Sequence, residues 1–186
     1  MAATADPVRR GMPAPDFRLP GVDGRDCSLE QARGPRGLVV MFVCNHCPYV
    51  QAVAPRLARE ARALRELGVH SVAINSNDTD AYPEDSFDNM KEFAHRHGWD
   101  FPYLFDASQQ VARAYGAVCT PDLYGFDAQL LLQYRGRLDS ARGLAQPAPD
   151  TRRELYEAMR GIAEGRGGPD EQTPSIGCSI KWREAR

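Results

Sequence analysis

The stretch Gly37-Leu38-Val39-Val40-Met41-Phe42-Val43-Cys44-Asn45-His46-Cys47-Pro48-Tyr49-Val50 decides how this chain is read. An apolar, β-branched run of strand length stops at Cys44. Cys47 and Pro48 follow, and apolar positions then recur at helical spacing toward Leu67. A buried strand therefore feeds a helix, with two cysteines at the helix N-terminus. Unpaired backbone N–H groups and the positive end of the helix dipole favour a thiolate there. Pro48 suits the first helical turn, where its missing N–H costs nothing. His46 adds positive charge beside Cys44. A paired thiol of lowered pKa, reachable from solvent, exchanges disulfides. The competing readings are half of a zinc site and a pair of inert core thiols. Structural zinc needs about four ligands at short spacings, whereas Cys27, Cys119 and Cys178 are scattered singly and His70, His95 and His97 lie on other elements. No metal is therefore assigned.

The remainder of the chain sets bounds. A length of 186 residues implies one domain with a full core. A net charge of −2 gives no general attraction to nucleic acid or anionic membrane. No run approaches the roughly 18 apolar residues of a membrane span, and Met1 to Met12 carry no apolar core of signal-peptide length. The expected compartment is the cytoplasm, where disulfides are transient and catalytic. Five cysteines, an odd number, also argue against a static framework.

In chain order, residues 1–12 read as a mobile N-terminus, 13–164 as one domain and 165–186 as a C-terminal tail. Asp16–Leu19 and Asp26–Leu29 form a hairpin, followed by the central strand. The helix after Cys47 ends at Gly68. Pro55 should kink or split it, and Arg56, Arg59, Glu60, Arg62, Arg65 and Glu66 read as its solvated face. A strand at Val69–Ile74 leads to a loop of turn formers, Asn75 to Asp80. Asp85 or Ser86 caps a helix through His97. A strand at 102–106, a helix at 108–115, a hairpin at 122–126 and 130–134, and a helix at 151–164 complete the domain. The tail Ile176–Trp182 is apolar enough to dock. Helices thus cover an open α/β sheet with one parallel and one antiparallel half.

With the Cys pair, Thr120-Pro121 and the closing hairpin and helix in place, residues 11–164 resemble the thioredoxin superfamily. The opening Ala14-Pro15-Asp16-Phe17-Arg18-Leu19 is similar to its peroxiredoxin and TlpA-like, AhpC/TSA-related branch. A peroxiredoxin-like bacterial group carries both Cys-Asn-His-Cys-Pro-Tyr-Val and the tail element Gly-Cys-Ser-Ile-Lys-Trp, found here at 177–182. The resemblance implies a thioredoxin-like fold whose cis-proline loop faces the Cys pair, with Pro121 as that proline and the Thr120 backbone open to an extended substrate. Two departures matter. Cys44 stands where peroxiredoxins place a peroxide-holding Thr, and Cys119-Thr120-Pro121 stands where they place an Arg. Thioredoxin's buried acid below the Cys pair also has no counterpart on strand 37–43.

The expected activity is thiol–disulfide exchange. Cys44, taken as nearest solvent and the helix start, attacks, and Cys47 resolves. His46, Asn45, Pro48, Thr120 and Pro121 support them. Cys119 and Cys178 are candidates for further redox roles, the latter as packing, an intersubunit bridge or a resolving thiol. The implied partners are a protein or small-molecule disulfide and an unidentified dithiol reductant, with no cofactor, nucleic acid or membrane. Oligomerisation is left open. The alternatives are a thiol peroxidase and a non-enzymatic metal-binding or redox-sensing module.

Overall fold

The computed structural model describes residues 2–6, 9–141 and 144–183. In chain order the elements are β1 (Ala2–Thr4), β2 (Arg18–Pro20), β3 (Asp26–Ser28), α1 (Leu29–Ala32), β4 (Gly37–Phe42), α2 (Pro48–Glu66) and β5 (Val69–Asn75). They continue with α3 (Phe87–Arg96), β6 (Tyr103–Phe105), α4 (Gln110–Tyr115), β7 (Cys119–Thr120), β8 (Asp122–Phe126), β9 (Leu132–Gly136), α5 (Glu154–Ala163) and β10 (Ile176–Ser179). A 3-10 turn at Pro83–Asp85 precedes α3.

Strand β4 is buried along its whole length because it is the middle strand of five, in the order β6-β5-β4-β8-β9. It runs parallel to β5 and antiparallel to β8, so the sheet has the expected parallel and antiparallel halves. Its side chains alternate between two cores. Val39, Met41 and Val43 face α2, α3 and α5; Leu38, Val40 and Phe42 face the β2–β3 hairpin, α1 and α4. Such two-sided cover explains why the strand reads as a continuous apolar run.

Helix α2 runs unbroken through Pro55. The expected split does not occur, because Val50, Val53, Ala54 and Leu57 bury against the sheet on both sides of the proline. The charged face also needs correction. Arg56 and Glu60 are buried. Arg56 Nε donates to Asp139 Oδ2 at 2.8 Å, and Arg153 Nη2 donates to Glu60 Oε2 at 2.6 Å. Helical spacing alone does not reveal that α5 and the loop after β9 lie across that face. These ion pairs fix α2, and with it the Cys motif, relative to the sheet.

A second sheet of three strands, β1-β10-β7, lies at the end of the molecule where α2 begins. Residues 2–4 are therefore part of a ladder rather than mobile. The exposed edge of β10 supplies the backbone partners that a short polar segment could not find alone. Residues 1, 7 and 8 of the expected mobile segment, and 184–186 of the tail, lie outside the described residues.

Candidate active site

Cys47, not Cys44, is the N-cap of α2, and Pro48 holds the first helical position. The Thr120–Pro121 peptide bond is cis, and this loop faces the Cys pair. Cys44 Sγ lies 3.3 Å from Thr120 Oγ1, and Cys47 Sγ lies 3.2 Å from the Thr120 carbonyl oxygen. Of the expected supporting residues, Thr120 contacts both sulfurs, His46 offers a ring nitrogen within 4.8 Å of Cys44 Sγ, and Pro48 follows Cys47 in the helix, while the Asn45 side chain bonds Tyr103 and Glu84.

The turn between the cysteines is built on one carboxylate that sequence reasoning took only for a helix cap. Asp85 is completely buried. Its Oδ1 accepts the backbone N–H groups of Asn45 at 2.7 Å and His46 at 3.1 Å. Its Oδ2 takes His46 Nδ1 at 2.6 Å and Asn77 Nδ2 at 2.7 Å. The true cap of α3 is Ser86, whose hydroxyl accepts from Asn89 N. Asn45 is held in turn: Tyr103 donates to its Oδ1 at 2.9 Å and its Nδ2 donates to the Glu84 carbonyl. The His46 ring stacks on Tyr82, with centroids 5.4 Å apart and an interplanar angle of 8°. The only sequence signal for this network was the polar run Asn75-Ser76-Asn77 at the C-terminal end of a parallel strand, where α/β folds place their sites.

Cys44, His46 and Asp85 offer donor atoms within 4.8 Å of one another, which is the one metal-capable group of three among the described residues. Four N–H contacts already occupy both carboxylate oxygens, so an ion would have to displace them. The arrangement reads as a hydrogen-bonded scaffold.

The two sulfurs differ sharply. The Cys47 thiol is lowered to about 5, chiefly by a hydrogen bond from Cys44, and next by the Cys178 thiol and the Val50 and Cys178 backbone N–H groups. These outweigh burial, and the Thr120 carbonyl is the contact that favours the neutral thiol. Cys44 is pushed well up, by its hydrogen bond to Cys47, by burial and by the Asp85 charge, against the Thr120 hydroxyl. Of the two, Cys47 is the one whose anion is favoured, with the Val50 N–H of the first turn of α2 among its donors. Cys119 is buried and raised to about 12, chiefly by burial and by Asp122. That leaves it a poor nucleophile, as a packing role requires.

Solvent access is the second correction. Cys44 is 1% exposed and Cys47 0%. Neither reaches solvent; the Thr120 loop packs on both sulfurs, and β10 pairs with that loop. Cys178 pairs with Thr120 in the β10–β7 ladder, so the Thr120 backbone expected to be open is occupied. Cys178 itself is only partly buried.

Fold and site together define a thioredoxin-fold protein with a Cys-x-x-Cys pair between a central strand and its following helix. The family model described as AhpC/TSA matches residues 10–139, and the chain belongs to that family. It is similar to the thiol-disulfide oxidoreductase ResA of Geobacillus thermodenitrificans, with 29% identity over 120 residues, 64% of each chain. The chain thus aligns with less than two thirds of that relative. A Mycobacterium tuberculosis protein provisionally named a peroxiredoxin, MT2597, is 32% identical over 119 residues, 64% of this chain and 71% of that one. Among solved structures, an uncharacterized conserved protein from Geobacillus kaustophilus superposes with a TM-score of 0.94 at 45% identity, covering 100% of this chain and 98% of its own.

Proposed function

We propose that this protein is a thiol–disulfide oxidoreductase whose working couple is Cys44–Cys47. The observation that carries the reading is the pair of free thiols at the start of α2, both held against Thr120 at 3.3 Å and 3.2 Å, with the Cys47 thiol lowered. In the reducing direction a client sulfur must first be brought to the buried Cys47, whose thiolate then attacks the client disulfide, forming a Cys47–client bond and releasing one client thiolate. Cys44 gives up its proton and attacks Cys47, expelling the second client thiolate and closing the Cys44–Cys47 disulfide. This order reverses the one expected from sequence, because the donors converge on Cys47 and the Asp85 charge opposes ionisation of Cys44. The likeness to ResA supports the same chemistry. The clients are protein or small-molecule disulfides, and a dithiol reductant regenerates the pair. The test is equilibration in dithiothreitol redox buffers followed by mass mapping. A single two-electron couple joining Cys44 and Cys47 is expected, and a protein in which these two never bridge would sink the proposal.

A peroxidase reading has one specific support: the stabilised thiolate precedes Pro48, as in the Cys-Pro end of the peroxiredoxin pattern, in a chain of the AhpC/TSA family. Against it, Arg135 binds Asp122 and the Gly116 carbonyl rather than either motif sulfur. Stopped-flow oxidation by hydrogen peroxide decides. Oxidation no faster than that of a free low-pKa thiol rejects the peroxidase.

A further inference from the structure

We propose that Cys178 is a third redox thiol of this site, and that β10 is a built-in occupant of the client position through which disulfides pass between the sealed pair and the outside. The proposal rests on the exchange reading above.

Four independent features meet at this strand. First, its register sets Cys178 opposite Thr120 and Ser179 opposite Cys119, antiparallel, on the loop that faces the Cys pair. Second, the closeness depends on Gly177. A Cβ there would lie 1.9 Å from the Thr120 carbonyl oxygen, 2.5 Å from its carbon and 3.0 Å from Pro121 N. No other residue lets the strand lie so near that backbone. Third, Cys47 Sγ donates to the carbonyl oxygen of Thr120, the residue paired with Cys178, and the Cys178 thiol and N–H are among the groups that lower the Cys47 thiol. Fourth, Cys178 is partly exposed while Cys44 and Cys47 are not, so an outside sulfur meets residue 178 first.

The strand is held on its far side as well. Ile180 N donates to the Val118 carbonyl at 3.0 Å, Lys181 N donates to Asn77 Oδ1 at 2.9 Å, and the Arg113 guanidinium lies 4.3 Å from the Trp182 ring centroid. Direct entry by a client would have to undo these contacts. Passage through Cys178 would not.

The exchange balances without an external oxidant. Starting from the Cys44–Cys47 disulfide, Cys178 loses its proton and attacks the Cys47 sulfur. The Cys47–Cys178 bond forms, and Cys44 leaves and takes up a proton. A client thiolate then attacks the accessible Cys178 sulfur, and Cys47 leaves as the thiolate. A second client thiol attacks the client sulfur of the mixed disulfide and releases Cys178. The client dithiol has become a disulfide, and Cys44–Cys47 has become two thiols. Reduction of a client runs the same steps backwards. Cys47 is the best leaving group of the three, since its anion is the most stabilised. Cys178 is held up at about 11, by burial and then by its contacts with Cys47. The part due to Cys47 falls away once its charge is tied up in a disulfide, while the part due to burial remains.

The test uses the full chain and 5,5′-dithiobis(2-nitrobenzoate) as the disulfide probe. Cys44→Ser should release two thionitrobenzoate equivalents at this site and yield a Cys47–Cys178 linked peptide under non-reducing mass mapping. Cys178→Ser retains a donor to Cys47, and its exchange rate should fall at least threefold. Adding Gly177→Val to Cys178→Ser should restore the rate by lifting the strand and opening Cys47 directly. A Cys178→Ser rate within threefold of wild type, absence of the 47–178 link in Cys44→Ser, or no recovery in the double variant overturns the relay. Failure of the exchange reading itself looks different. In that case neither wild type nor Cys178→Ser forms the Cys44–Cys47 disulfide.

Discussion

Replacing Asp85 by Asn tests the scaffold beneath the motif. The change is nearly isosteric, yet one acceptor oxygen becomes an NH2 group facing two donors. If the NH2 points at the Asn45 and His46 backbone N–H groups, both lose their acceptor. If it points the other way, His46 can switch tautomer and accept, but Asn77 Nδ2 is orphaned. Asn77 cannot flip without giving up Lys181 N at its Oδ1. Even the gentler arrangement leaves one buried donor unpaired, at about 1–3 kcal/mol, and removes charge assistance from the surviving bonds. The expected loss is about 3 kcal/mol, a sizeable share of the roughly 5–15 kcal/mol typical of a domain. Urea unfolding of the reduced protein at neutral pH should show it as a midpoint lowered by about 1.5 M, at a slope of roughly 2 kcal/mol/M. The slope itself should not change. The Cys44 thiol should also titrate lower, since a charge that holds it up is gone. A loss below about 1 kcal/mol would refute the claim that this carboxylate organises the turn.

Three further outcomes are expected. His46→Leu removes the imidazole paired with Asp85 and leaves that carboxylate facing Cys44. The reduced form is then disfavoured, and the potential should become more negative by about 30 mV, whereas a change within about 10 mV rules the role out. Cys47 is lowered in the folded, reduced protein, so its ionisation adds stability fully above the unfolded thiol pKa of about 8.5, and that stability is lost as pH falls through about 5. The stability advantage of reduced wild type over Cys47→Ser should therefore grow from pH 5 to about 8.5, and a flat difference places the anion elsewhere. Asp122→Ala strands the guanidinium of Arg135, which is 7% exposed and bonded to Asp122 Oδ2 at 2.8 Å. Chemical denaturation should show a loss of about 3–5 kcal/mol, while removing both partners for apolar residues costs far less.

The backbone plan was legible because each decisive signal is local. The β-branched run 37–43 names a central strand, Cys47-Pro48 names a helix start, and glycines after residues 67 and 97 name helix ends. Three things were not legible, each for lack of a local signature. Asp85 has the same sequence context whether it caps a helix or anchors a turn 39 residues upstream; only the fold brings its oxygens to Asn45 and His46. Burial of Arg56 and Glu60 depends on partners far along the chain, Asp139 and Arg153. The Cys47 thiol is lowered by Cys44 first and then by donors that include Cys178, whose strand pairing a short apolar tail does not announce.

Asn77 joins the tail to the carboxylate beneath the motif: its Nδ2 holds Asp85 and its Oδ1 holds Lys181 N. One amide thus transmits displacement of the tail to the turn between the cysteines, and the reverse. Trp182 lies one residue beyond that junction, against Arg113, whereas Trp99 is fixed in the interior with its indole N–H on the Ala54 carbonyl. Fluorescence from the two indoles therefore separates into a constant background and a single optical reporter. Oxidation of the Cys pair is therefore expected to change the emission of Trp182, and emission identical in the reduced and oxidised protein would show that the tail does not follow the sulfurs.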